Sequence, residues 1–190
     1  MLTRTNFCII FFLSFYSARF GKGPYYVKFV IRLPANGDSD GDEVFFVIEL
    51  SKRKQLPHST YNFITLVESN LYNDGSAFLS AQGDGFQIGS SSSPEVPSLE
   101  QKLKPLGLTG GSSLSFVETT EAPTCGEFSV AFVHRGPGLN VFLSDRNIYD
   151  DTECFAQVIR GHDNLRNIRS FLARNDAPLE IVSAQHLRVD

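Results

Sequence analysis

The sequence predicts one mainly β domain of short antiparallel strands, and three observations predict it. Runs that alternate with period two recur along the chain, as in Tyr25–Leu33 (YYVKFVIRL) and Gly126–His134 (GEFSVAFVH), and turn residues bound them. The best helical stretch is a single segment, Leu56–Asn70 (LPHSTYNFITLVESN), with apolar residues on one side. A chain of 190 residues, 42% hydrophobic, can bury one substantial core and is too short for two ordinary domains. With 17 Phe and no Trp, that core is phenylalanine-rich. The net charge of −4, with no Lys/Arg block on a recognisable module, argues against nucleic acid as a partner.

Met1–Asn6 carries Arg4 and no acid, and the run Phe7–Tyr16 (FCIIFFLSFY) is almost wholly apolar before Ser17 and Ala18. That is the pattern of a secretory signal. The run is shorter than the about 20 residues a membrane span needs. Tyr16 stands where a cut after Ala18 would favour a small residue. Residues 1–18 therefore read as a cleaved signal peptide or a retained signal-anchor, 19–24 as a linker, and 25–190 as the folded domain. The chain is expected to enter the secretory pathway as a lumenal, secreted or membrane-anchored protein, touching a membrane only through residues 1–18 if they are kept.

Tyr25–Leu33 and Val44–Leu50 (VFFVIEL) read as the two strands of a hairpin, joined by the polar turn Ala35–Glu43 (ANGDSDGDE). Asp38, Asp40 and Asp42 alternate as calcium ligands do. An EF-hand loop also needs a Glu at its twelfth position and flanking helices, so this segment reads as a solvated loop. In the helix Leu56–Asn70, Ser59 is the expected N-cap, and Tyr61, Phe63, Ile64, Leu66 and Val67 form the apolar stripe. His58 reads as an exposed residue before the cap, without a metal or catalytic role.

Leu71–Gly75 is the turn out of the helix, and Ser76–Ala81 and Phe86–Gly89 are two short strands. Ser90–Pro97 (SSSSPEVP) reads as a flexible connector, Leu99–Leu106 as a helical turn, and Ser112–Glu118 as the return to the domain. Gly126–His134 is a strand with Phe128, Val130 and Phe132 on one face. The tight turn Arg135–Gly138 (RGPG) leads to a further strand, Asn140–Ser144. Cys154–Gly161 (CFAQVIRG) precedes His162–Phe171, and Pro178–Leu187 supplies the closing strand.

Five segments carry a resemblance to the cyclophilins. Pro57, Ser59, Asn62 and Phe63 fit the pattern V-P-x-T-x-x-N-F, and Gly75–Ser90 (GSAFLSAQGDGFQIGS) is similar to G-T-x-F-H-R-V-x-P-G-F-x-I-Q-G-G. Gly126–His134 and Asn140–Ser144 resemble the pair G-x-L-S-M-A-N and S-Q-F-F-I. In the most specific match, Phe155, Val158, Gly161, Leu165 and Ile168 fall on V-F-G-x-V-x-x-G-x-x-V-V-x-x-I. The stretch HRGPGLNVFLS is a recognisable variant of a motif in divergent members, of the kind found in algae and protists, that carry an N-terminal hydrophobic segment. The resemblance runs from about Tyr25 to the end. It implies a closed antiparallel β-barrel capped by two helices, a monomer, no metal or cofactor, and a proline-containing peptide or protein as client.

It also implies peptidyl-prolyl cis-trans isomerase chemistry. The prolyl bond rotates slowly because its amide is partly double-bonded, with a barrier of about 18–20 kcal/mol. In the family an Arg donates to the prolyl carbonyl while apolar walls hold the ring. Here Phe78 keeps the Phe of the motif, Leu79 replaces its His, and Ser80 replaces that Arg. One rotatable hydroxyl cannot imitate a charged fork. Losing a preorganised donor costs about 2.7–4 kcal/mol, or about 10²–10³ in rate.

Other positions depart too. The motif's Gln is either Gln87, displaced by an insertion, or is replaced by Gly89; Thr152 stands for a His and Asn147 for a Trp. The resemblance places Phe78, Phe86, Gln87, Asn140 and Phe142 along the ligand groove, with Phe142 as the aromatic that floors the proline pocket and Asn140 in place of a Gln. Arg135 is either an exposed turn residue or a guanidinium that swings over the groove to replace the lost one.

Signal removal would take Cys8 and leave Cys125 and Cys154, which read either as one disulfide or as two separately buried thiols. Two functions follow. One is a weak or inactive prolyl isomerase; the other is a non-catalytic module that binds proline-bearing peptides in the secretory pathway. A membrane-tethered scaffold is a third.

Overall fold

The computed structural model describes residues 23–34, 41–51, 56–80, 83–89, 125–133, 138–144, 154–175 and 177–188. In chain order its elements are β1 (Tyr26–Arg32), β2 (Glu43–Leu50), α1 (Pro57–Glu68), β3 (Gly75–Leu79), β4 (Gly85–Gly89), β5 (Ser129–Phe132), β6 (Leu139–Phe142), β7 (Cys154–Arg160), α2 (His162–Arg174) and β8 (Leu179–Leu187). The strands close into a barrel in the order β1-β2-β7-β5-β6-β4-β3-β8, every pair antiparallel. This is the closed barrel with two helices expected from the sequence.

Alternation sets which side of each strand faces in. In β1, Val27, Phe29 and Ile31 are buried while their neighbours are half-buried. Phe29 stands opposite Phe46 of β2, their rings stacked at 5.2 Å. Phe46 in turn meets Phe86 edge-on at 6.2 Å. The barrel is thus filled by phenylalanine, each buried ring contributing about 1.5–3 kcal/mol.

The helices sit toward different ends of β2. Phe63 of α1 lies 5.0 Å from Phe155, beside which Ser51 bonds its backbone N–H to the Phe155 carbonyl just after β2 ends. At the other end of β2, Asn164 of α2 donates to the Phe45 carbonyl at 2.8 Å. Gly161 enters α2 with φ +86, and a Cβ there would run into the Phe45 carbonyl oxygen, so this position takes glycine. Leu165, Ile168 and Leu172 form the buried face of α2.

Several boundaries shift by a residue or more from the sequence reading, and two of the shifts have a visible cause. Helix α1 starts at Pro57 with Leu56 as N-cap and no side-chain cap. Proline loses nothing at the first helical position and brings the right φ, so Ser59 is drawn inside the first turn, where it is buried. Strand β5 begins at Ser129 rather than Gly126 because Phe128 has φ +65, outside the strand region. A turn forms instead: Ser129 bonds its N–H to the Gly126 carbonyl, and its hydroxyl accepts from the Gly126 N–H at 2.9 Å. The segments Ala35–Asp40, Ser90–Pro97, Leu99–Leu106 and Ser112–Glu118 lie outside the described residues.

Candidate functional site

Residues that do not face the core line the outside of the barrel, and cross-strand register brings several of the candidates into one row. Phe78 of β3 pairs with Gln87 of β4, Gln87 with Asn140 of β6, Asn140 with Ala131 of β5, and Ala131 with Cys154 of β7. Phe78 is exposed at 37%, Gln87 and Asn140 are half-buried, and Ala131 and Cys154 are buried. None of the five carries a charge. Two amides therefore stand side by side between an exposed ring at one end and an apolar patch at the other.

Phe142 lies two residues beyond Asn140 on the same side of β6, opposite Gly85. Its ring is buried with Ala131 and Cys154, and Cys125 packs against this patch, which is separate from the barrel core. Cys125 and Cys154 form a disulfide, Cα to Cα 5.3 Å. Of the two readings of these cysteines, the structure shows the bonded one.

Phe86 is placed otherwise than the groove reading has it. Its neighbour Gln87 points outward, so Phe86 must point inward, where it is fully buried against Phe46. Gln87 stands between Phe78 and Asn140, while Gly89 pairs with Ser76 and lies against the Phe78 ring, which a Cβ there would meet at 3.5 Å.

Ser80 directly follows β3, and its hydroxyl is committed to the turn. It donates to Asp84 Oδ1 at 2.6 Å and accepts from the Gly85 N–H at 3.3 Å. The Ser80 backbone closes the same turn through bonds with Gly85 and Gly83. Arg169 of α2 reaches across to donate to the Gly83 carbonyl at 2.7 Å. The turn is also tied to β6: Leu143 bonds its N–H to the Asp84 carbonyl, and a Cβ on Gly85 would run into the Val141 carbonyl oxygen. Ser80 is 6% exposed.

The sequence reading identified Ser80 by what it replaces and missed what it does. The signal present was a Ser at a strand end, four residues before the Asp of Gly83-Asp84-Gly85, which is turn chemistry. Arg169 had no such signal, since it acts 86 residues away. Leu79 is packed against the core. Arg135, Asn147 and Thr152 lie outside the described residues, as does Cys8. His58 sits in the first turn of α1. Among the described residues, no group of three or more His, Cys, Asp or Glu is placed to hold a metal, and no helix is long and apolar enough to cross a membrane.

No protein-family model and no curated protein matches the sequence. Solved structures do match the fold. The chain is similar to the cyclophilin of mimivirus, with a TM-score of 0.58 and 18% identity over 87% of this chain and 91% of that one. It is also similar to a cyclophilin-type peptidyl-prolyl cis-trans isomerase of Cryptosporidium parvum, with a TM-score of 0.57 and 14% identity over 87% of this chain and 99% of that one. At these identities the likeness shows the fold, and the fold is that of the cyclophilins.

Proposed function

We propose that this cyclophilin-fold chain binds proline-containing peptide or protein segments on the outer face of β3, β4, β6 and β5, and isomerises them weakly or not at all. One observation carries the second half: the hydroxyl of Ser80, at the position of the family Arg, is engaged by Asp84 and Gly85 and supplies no charge. Stabilising a nitrogen that loses amide resonance requires a donor aimed at the prolyl group and free to bond it. Ser80 is neither.

Binding needs less. Gln87 and Asn140 each offer an amide N–H and C=O, able to pair with the backbone of an extended segment. Phe78 adds an exposed ring, and Phe142 is the aromatic the resemblance assigns to the proline pocket. The Cys125–Cys154 disulfide supports an oxidising compartment, and the apolar run Phe7–Tyr16 supports secretory entry, so we place the client there.

The test is a prolyl isomerisation assay on the full chain alongside calorimetric titration with the same peptide. The expected outcome is measurable binding with a rate about 10²–10³ below that of an Arg-bearing isomerase. A rate equal to that of such an enzyme overturns the reading. If the rate then fell on Arg135→Ala, the guanidinium would be supplied from the turn after β5.

A further inference from the structure

The outer row next to Gln87 and Asn140 holds Ser80, Gly85 and Phe142. Ser80 and Gly85 face each other through two hydrogen bonds, and Gly85 pairs with Phe142. Neighbouring strands lie about 4.8 Å apart, so the backbones of Ser80 and Phe142 stand about 10 Å apart with only a glycine between them. The charge at the Ser80 end is negative. Asp84 is half-buried and accepts the Ser80 hydroxyl on Oδ1 at 2.6 Å. A carboxylate has about four acceptor sites, and this one is the only one a described side chain fills. Arg169 reaches the same turn, yet its Nη2 donates to the Gly83 carbonyl. It lessens the negative potential there without pairing with it: among the described residues no cation lies within ion-pair distance of Asp84. The corner that the resemblance assigns to a guanidinium therefore holds a hydroxyl whose partner is a carboxylate.

We propose that Asp84 makes this site select proline-containing segments that carry a lysine or arginine within two residues of the proline. This selectivity rests on the peptide binding proposed above. Successive Cα atoms are about 3.8 Å apart, so a residue one or two places from a proline at Phe142 comes within side-chain reach of the Ser80 end. A lysine stem is long and flexible, and its ammonium carries three donors for the open acceptor sites of Asp84. A half-buried carboxylate attracts that charge more strongly than an exposed one, because less water screens it. A glutamate in the same place meets like charge. The preference thus has an attractive and a repulsive part. An arginine at position 80 would impose the opposite preference.

The experiment is calorimetric titration of the full chain with sets of three proline peptides, identical except for lysine, glutamine or glutamate at one of the two positions on either side of the proline. At one position at least, lysine is expected to bind about three- to fivefold more tightly than glutamine, and glutamate more weakly. Salt at 1 M, with a Debye length of about 3 Å, should erase most of that difference. Asp84→Asn keeps an oxygen for the Ser80 hydroxyl and should bind the lysine and glutamine peptides equally. Asp163→Asn removes an exposed charge on α2 and should keep the parent's preference. Equal binding of the three peptides by the parent overturns the proposal and leaves peptide binding standing. A lysine preference that survives Asp84→Asn overturns it as well, as does one that Asp163→Asn reduces equally, since net charge would then be the cause. If Asp84→Asn loses the contact between the Phe29 and Phe46 rings and so fails to fold, the salt series on the parent decides, and a preference unchanged at 1 M overturns the proposal. Failure of every peptide to bind removes the function proposed above, and this selectivity with it.

Discussion

Ser80 shows how one side chain can be explained by what it bonds rather than by what it lacks. Its two hydrogen bonds join the end of β3 to Asp84 and Gly85. Ser80→Ala would leave the buried Gly85 N–H short of a partner and remove a donor to a carboxylate, lowering stability by about 1–2 kcal/mol. Urea unfolding measures this, and isomerisation should be unaffected. Tyr72 makes a second case. Its phenol is buried, and desolvation raises its pKa well above the usual tyrosine value. The folded state therefore keeps the proton after the unfolded chain releases it. Stability is unaffected below the unfolded value near about pH 10, and falls as pH rises from there toward the folded value. Chemical denaturation followed from neutral to alkaline pH should show this fall, and Tyr72→Phe should weaken it.

Elements differ in how much of them could be read in advance, and the difference has a physical cause. Strand β1 was legible because every second residue, Val27, Phe29 and Ile31, answers to one core; His162–Phe171 was placed only through the motif that holds Leu165 and Ile168, although Leu165, Ile168 and Leu172 repeat at helical spacing. The hairpin β3–β4 was legible from its glycines and Phe78, and the outward row through Gln87 and Asn140 followed once register was known. What failed was local competition. Pro57 displaced Ser59 from the cap, and the positive φ of Phe128 shortened β5. The inward turn of Phe86 was available in principle, since parity with Gln87 decides it, but the motif alone did not say which of the two faced out. The anchoring of the β3–β4 turn by α2 was invisible, because a side chain meeting a distant carbonyl leaves no pattern. Arg169→Ala should cost about 1 kcal/mol at this partly exposed site, and should speed amide exchange at Gly83, whose N–H bonds Ser80.

At the scale of the whole molecule, aromatic rings connect elements far apart in the chain. Phe63 of α1 meets Phe29 of β1, Tyr72 before β3, Phe132 of β5 and Phe155 of β7. Phe63→Ala should remove about 3–5 kcal/mol, with the unfolding transition remaining single, because one buried cluster joins all eight strands and both helices. Equilibrium denaturation followed by two spectroscopic probes checks both statements. Barrel closure rests on β1 pairing with β8, which puts Tyr26 opposite Leu187. Partners in an antiparallel ladder lie about 4.5–5.5 Å apart, so the polypeptide enters and leaves the barrel at one spot. The domain is consequently a cassette: spliced into a surface loop of a host protein, it would need almost no linker and would pull its host's two ends hardly apart.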